Sequence, residues 1–166
     1  LAAEKDEAFQ INVSALEKAM PKDLDASEIE VRLGATWIPP RYIQQFMLEL
    51  LQPPIQARYR LRVAYSSATA EWRIENKSSV PAHNVAAYTT YGTGRASAYR
   101  ILEDSLNLRD VRIYDTVRDA DGKEKRVLNS KETTLAQQKQ QAVKDAFRDW
   151  LWQDPTRRQE LCARYN

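Results

Sequence analysis

Hydrophobic and polar positions change rhythm several times along the chain, and each change predicts an element. Val13, Leu16 and Met20 recur at helical spacing behind a capping Asn12 or Ser14, and Pro21 ends that short helix. Asp25 to Gly34 reads either as one helical turn capped by Asp25 or as the start of a strand. Tyr42, Ile43, Phe46, Met47, Leu50 and Leu51 form an i, i+3/i+4 stripe, opened by Pro39-Pro40 and stopped by Pro53-Pro54. Period two follows. Tyr59, Leu61, Val63 and Tyr65 fall on one face and Arg58, Arg60 and Arg62 on the other. After a turn over Ser66–Ala70, Trp72 and Ile74 alternate with Glu71, Arg73 and Glu75, which completes an antiparallel hairpin with one apolar face.

Val85 to Tyr91 has the composition of a strand, Gly92-Thr-Gly94 breaks it, and a helix from about Ala96 carries Ile101, Leu102, Leu106 and Leu108. A second hairpin is expected where Val111, Ile113 and Val117 alternate with polar neighbours, with its turn at Asp119–Gly122 and its return over Lys123–Leu128. Asn129, with Glu132 three residues on, is a capping-box start for a long helix from about Ser130 to Leu151. Leu135, Ala142, Val143, Ala146, Phe147, Trp150 and Leu151 lie on one side of it. Asp154-Pro155 supplies the N-cap and first residue of a last helix bearing Leu161, Cys162 and Tyr165.

Helix-then-hairpin thus occurs twice, and a shift of 58 positions aligns Gly34 with Gly92, Ile43 with Ile101, Leu48 with Leu106 and Leu50 with Leu108. The alignment fits a duplication, and it also fits the ease with which amphipathic helices match one another. The expected fold is α+β: two helix-plus-β-hairpin units sharing an antiparallel sheet, followed by a long C-terminal helix. Residues 1–24 read as a polar tail and short helix, 25–129 as the α+β domain, and 130–166 as a helical segment leading to a next domain.

At 166 residues, 43% hydrophobic and 29% charged, the chain is long enough for one domain with a buried core. Lys plus Arg number 25 against 23 Asp plus Glu, a formal +2, so bulk charge does not explain function and any basic face must be local. One cysteine excludes an internal disulfide, and one histidine excludes most Cys/His metal sites. A reduced, cytoplasmic setting with neither metal nor cofactor is expected. No apolar run approaches the ~20 residues that span a bilayer. The start lacks an initiator Met and a signal pattern, and the end falls inside predicted helix, so a piece of a longer protein is expected.

Catalytic constellations are missing from the pattern. His83 sits in a polar loop without a nucleophile elbow. Cys162 lies beside Leu161 as a small buried hydrophobe. Glu103 and Asp104 are helix neighbours that do not face each other, which makes them a solvated face rather than an acid/base couple. Binding chemistry is better represented. Gly92-Thr93-Gly94-Arg95 ahead of a helix suits a phosphate, or an ordinary strand-to-helix turn. Tyr88, Tyr91, Arg95, Tyr99 and Arg100 interleave rings and cations as base stacking and phosphate contact require, unless the tyrosines pack in the core. Arg58, Arg60 and Arg62 can track a phosphate backbone, or pair with Glu71 and Glu75 across the hairpin. Lys123, Lys125 and Arg126 beside the second turn read as solvated charge. The candidate nucleic-acid contacts are therefore Tyr91, Thr93, Arg95 and Arg100, with Arg58, Arg60 and Arg62 as a second site.

Several stretches carry a resemblance: Glu30-Val-Arg-Leu-Gly-Ala-Thr-Trp-Ile38, Ala87-Tyr-Thr-Thr-Tyr-Gly-Thr-Gly-Arg95, Asn107-Leu-Arg-Asp-Val-Arg-Ile-Tyr-Asp115, Lys123-Glu-Lys-Arg-Val-Leu-Asn129 and Leu135-Ala-Gln-Gln-Lys139. Together they resemble a segment of the very large helicase/methyltransferase proteins of bacterial mobile elements. There it lies between an adenine-N6 DNA methyltransferase-like region and a Swi/Snf-type superfamily-two helicase motor. The resemblance runs from about Phe9 to Asn166. It implies DNA and the neighbouring helicase and methyltransferase domains as partners. Neither the methyl-transfer motif nor the ATP-binding loop of that family occurs here, so the resemblance brings no catalytic residue with it. Two roles follow: a DNA-contacting accessory domain, or a structural coupling module that docks the motor through the long helix and Trp150, Trp152 and Tyr165.

Overall fold

The structure, a computed structural model, describes residues 31–166. The helix expected after Asn12 or Ser14 and the residues 25–30 stretch lie outside the described residues. Pro40 opens helix α1 (Pro40–Leu51), where its missing N–H is harmless, and Gln52 closes it in the left-handed region at φ 43°. The buried stripe is Tyr42, Ile43, Phe46, Met47 and Leu51, as the spacing predicts, while Leu50, expected with them, is only half-buried. Pro54 then starts a new turn, helix α2 (Ile55–Arg58), so the chain coils once more before it extends. Strands β1 (Arg62–Ser66) and β2 (Glu71–Glu75) pair antiparallel, with Val63 opposite Ile74 and Tyr65 opposite Trp72. The first strand therefore begins four residues later than Arg58. Arg58 and Arg60 do not share a strand face with Arg62, and Tyr59, assigned by its alternation to the apolar set, is 71% exposed.

Val85–Tyr91 is not a strand. It winds as a π-helical turn over Ala86–Thr90. The buried Asn84 organises it: its Oδ1 accepts from the Ala87 N–H, while its Nδ2 donates to the Leu51 and Gln52 carbonyls at the end of α1. One side chain fixes the start of the turn and satisfies the helix end beside it, which outweighs the weak strand preference of Thr, Tyr and Val. Helix α3 (Ala98–Leu106) is capped by Ser97, whose Oγ accepts from the Arg100 N–H. Leu108, expected on its apolar face, lies past its end at φ 58° and is exposed.

The two hairpins do not join into one sheet; each is a separate two-stranded ladder. The outer edge of β2 is occupied by side chains of α3 and the residue after it. Asn107 accepts from the Trp72 N–H at 2.8 Å and donates to the Trp72 carbonyl at 2.9 Å, imitating a neighbouring strand, and Glu103 accepts from the Ile74 N–H at 2.8 Å. On β1, Gln44 accepts from the Val63 N–H. Along β2 these side chains take hydrogen bonds that a third strand would otherwise make.

Val111 and Ile113 are buried but precede the second hairpin. They lie in an extended lead-in whose backbone bonds to a helix: Gln140 accepts from Val111 N–H, Gln137 donates to Val111 carbonyl, and Thr133 accepts from Ile113 N–H. Only then do β3 (Tyr114–Arg118) and β4 (Glu124–Leu128) pair, as a mostly exposed arm. Helix α4 (Ser130–Gln153) starts at Asn129, whose side chain accepts from the Glu132 N–H, and α5 (Pro155–Tyr165) starts at the Asp154 cap. The buried positions of α4 are Thr133, Ala136, Gln140, Val143, Phe147 and Leu151. Leu135, expected there, is exposed, because the stripe runs through two polar residues that hydrophobic periodicity does not register. Phe147 meets Phe46 edge-on at 5.1 Å, which places α4 in the same core as α1. Helix-then-hairpin order does recur, and α1 and α3 begin 58 positions apart. The strands β1 and β3 begin only 52 apart, and only Gly34 of the aligned glycine pair has positive φ.

Candidate nucleic-acid interface

The Gly92–Arg95 turn is closed on itself. Thr93 is buried, its Oγ1 accepts from the Arg95 and Ala96 N–H groups, and its own N–H donates to the Ala96 carbonyl. These amides are spent within the turn. A Cβ at Gly92 would stand 2.0 Å from the Ala87 carbonyl oxygen and 2.8 Å from the Ala98 nitrogen, so that glycine allows the π-turn and α3 to touch. The Arg95 guanidinium donates to Asp115 at 2.7 Å and to the Tyr114 carbonyl at 2.9 Å. Arg100 donates to the Arg112 carbonyl and lies 3.9 Å from Asp104. Tyr99 is fully buried, burial pushes its phenol pKa up, and Tyr88 and Tyr91 pack half-buried against the core. The two arginines of the interleaved set thus bond the root of the second hairpin, and its tyrosines pack in or against the core. Asp115, bonded first by Arg95 and then by Asn129 Nδ2, has its carboxyl pKa held below the ordinary value.

Glu103 and Asp104 are not a solvated face. Glu103 bonds the β2 edge and takes a 3.2 Å ion pair from Lys77, while Asp104 lies between Arg109 and Arg100 with its pKa raised chiefly by burial. His83 is an exposed loop residue and Cys162 is half-buried against the core. Among the described residues no group of His, Cys, Asp and Glu is placed to hold a metal ion, and no helix is long and apolar enough to cross a membrane.

Arg58, Arg60 and Arg62 have a different environment. All three are exposed, and none forms an ion pair among the described residues. Glu75 stands opposite Arg62 and Glu71 opposite Ser66, but the expected cross-strand pairs are not made. Among the described residues the Arg62 guanidinium donates only to the Leu61 carbonyl. Arg73, opposite Ala64, joins Arg62 as an exposed arginine on the solvent face of this hairpin, also without an ion pair among the described residues. The backbone beneath is fixed: Arg60 and Leu61 N–H groups donate to the Ala57 carbonyl, Asn76 Nδ2 donates to the Arg60 carbonyl, and Ala57 and Leu61 are buried. Tyr59 and Ile55, four positions apart around α2, are 71% and 62% exposed beside these arginines. Sequence patterning missed both. The available signal was Pro53-Pro54, which restarts a helix and moves Tyr59 off the strand.

Charge is also divided unevenly. Residues 31–166 hold 22 basic and 15 acidic side chains, a net +7, whereas residues 1–30 hold 3 and 8, a net −5. The near-neutral total conceals a basic excess in residues 31–166. The family model for a domain of unknown function, DUF8437, matches residues 32–166. No curated protein and no solved structure matches the chain.

Proposed function

Because the chain belongs to the DUF8437 family, a domain of unknown function, we propose its role from its own surface: a non-catalytic accessory domain that contacts DNA through Arg58, Arg60 and Arg62. The observation that carries this reading is that these three guanidiniums stand exposed on a fixed backbone with no ion pair among the described residues, in a stretch, 31–166, of net +7. Cations already neutralised by carboxylates release few counterions on meeting phosphate; unpaired ones release theirs in full. Arg95 and Arg100 belong to the first kind, so they serve the arm root rather than the ligand. The larger setting, a DNA-handling polypeptide with helicase and methyltransferase regions, rests on the sequence resemblance.

Fluorescence anisotropy with labelled DNA at several salt concentrations tests the reading. Replacing Arg58, Arg60 and Arg62 by Gln together should weaken binding and flatten the slope of log K against log salt by about 2–3, at ~0.7–0.9 per phosphate contact. An unchanged slope would remove these residues from the interface. The second reading, a coupling module, is supported by the arm: Val117, Val127 and Leu128 are exposed apolar residues on β3 and β4. The C-terminal aromatics support it less. Trp150 donates to Glu49 and is covered by the Arg157 guanidinium at 3.7 Å, and Tyr165 meets Trp37 edge-on.

A further inference from the structure

We infer that the Arg58–Arg62 ledge takes a single-stranded nucleic acid, with an unstacked base lying on Tyr59. This deepens the reading above and rests on it. A ledge that only neutralised phosphates would need its arginines and nothing else. Here the most exposed ring bordering them, Tyr59, stands between Arg58 and Arg60 in sequence, 71% open to solvent, with Ile55 one helical turn away at 62%. Neither side chain makes a hydrogen bond, ion pair or ring contact with another described residue. Exposing an apolar ring and an aliphatic side chain together is unfavourable unless something covers them at work. A base face on the phenol ring and a sugar against Ile55 would do so, while the flanking guanidiniums hold the neighbouring phosphates. A duplex keeps its base faces stacked inside and offers Tyr59 nothing but backbone. The backbone bonds that pin residues 57–61 set this platform before any ligand arrives.

The probes are labelled oligodeoxyuridylate, the oligouridylate of equal length and a DNA duplex of equal length, followed by anisotropy at one low salt concentration with the full chain. Single strands should bind about tenfold more tightly than duplex, and whichever of the two single strands binds better identifies the sugar. Tyr59→Ala should lose about tenfold on the single strands and leave the duplex unchanged, whereas Tyr59→Phe should stay within about twofold, since stacking needs the ring and not the hydroxyl. Tyr59 is exposed, so neither change threatens the core. Duplex bound as tightly as single strands, or a Tyr59→Ala variant that binds single strands normally, overturns the stacking inference. If the triple arginine variant still loses binding in that case, the ledge stands as a phosphate contact. If that variant also binds normally, both readings fall.

Discussion

Gly92 and Gly94 are two positions apart and answer to different constraints. At Gly92 a methyl group would meet the Ala87 carbonyl and the Ala98 nitrogen, both backbone atoms that cannot swing aside; at Gly94 nothing lies within 4 Å. Gly92→Ala should therefore cost about 2–4 kcal/mol in urea denaturation, and Gly94→Ala no more than ~0.5 kcal/mol. If the pair were instead an anion cradle, both changes would be mild for stability and harmful for binding. The same turn shows where residue-level reading stops. Glycines, a threonine and an arginine ahead of a helix look alike whether their donors await a phosphate or are already used. Here Thr93 and Asp115 use them.

At the scale of elements, the two hairpins share a pattern of pairing and differ in everything around it. The first is buried on one face and its edges are bonded in part by Gln44, Glu103 and Asn107; the second stands free above a root of Arg95, Asp115 and Asn129. Its tip is held locally, with Asp119 Oδ1 accepting from the Asp121 and Lys123 N–H groups, and Arg126 lies over the Tyr114 ring at 4.4 Å. Asp115 sets the pH response of that root. Its folded-state pKa is depressed, so its stabilisation is fully present above the ordinary carboxylate value and is lost as pH falls through the lower folded value. Backbone amide shifts of β3 and β4 should hold steady down to that range and move below it. Asp115→Asn should abolish the transition while leaving the first hairpin unmoved. The caps of α4 and α5 were legible beforehand because a cap is a contact across three residues. The lead-in bonded by Gln137, Gln140 and Thr133 was not, since those partners lie 20 to 29 residues away along the chain.

The molecule as a whole is tied together where α1 meets α4. Phe46, Phe147 and Trp150 form one aromatic group, and the buried residues of both helices belong to the same core as the first hairpin and α3. Phe147→Ala should cost about 3–5 kcal/mol, and circular dichroism and tryptophan fluorescence should report one shared transition at the lower midpoint. Separate transitions would show α4 and α5 to be an appendage.

By itself the sequence determined the caps of α4 and α5, the two hairpins and most of the apolar stripe of α1, because each is fixed by spacing or by hydrogen bonds between near neighbours. Only the tertiary structure decided that the hairpins stay apart, that residues 85–91 coil, and that Arg95 is bound internally while Arg58, Arg60 and Arg62 remain open. A strand edge and a guanidinium each accept whichever partner lies within about 3 Å, and folding brings that partner from a distant part of the chain.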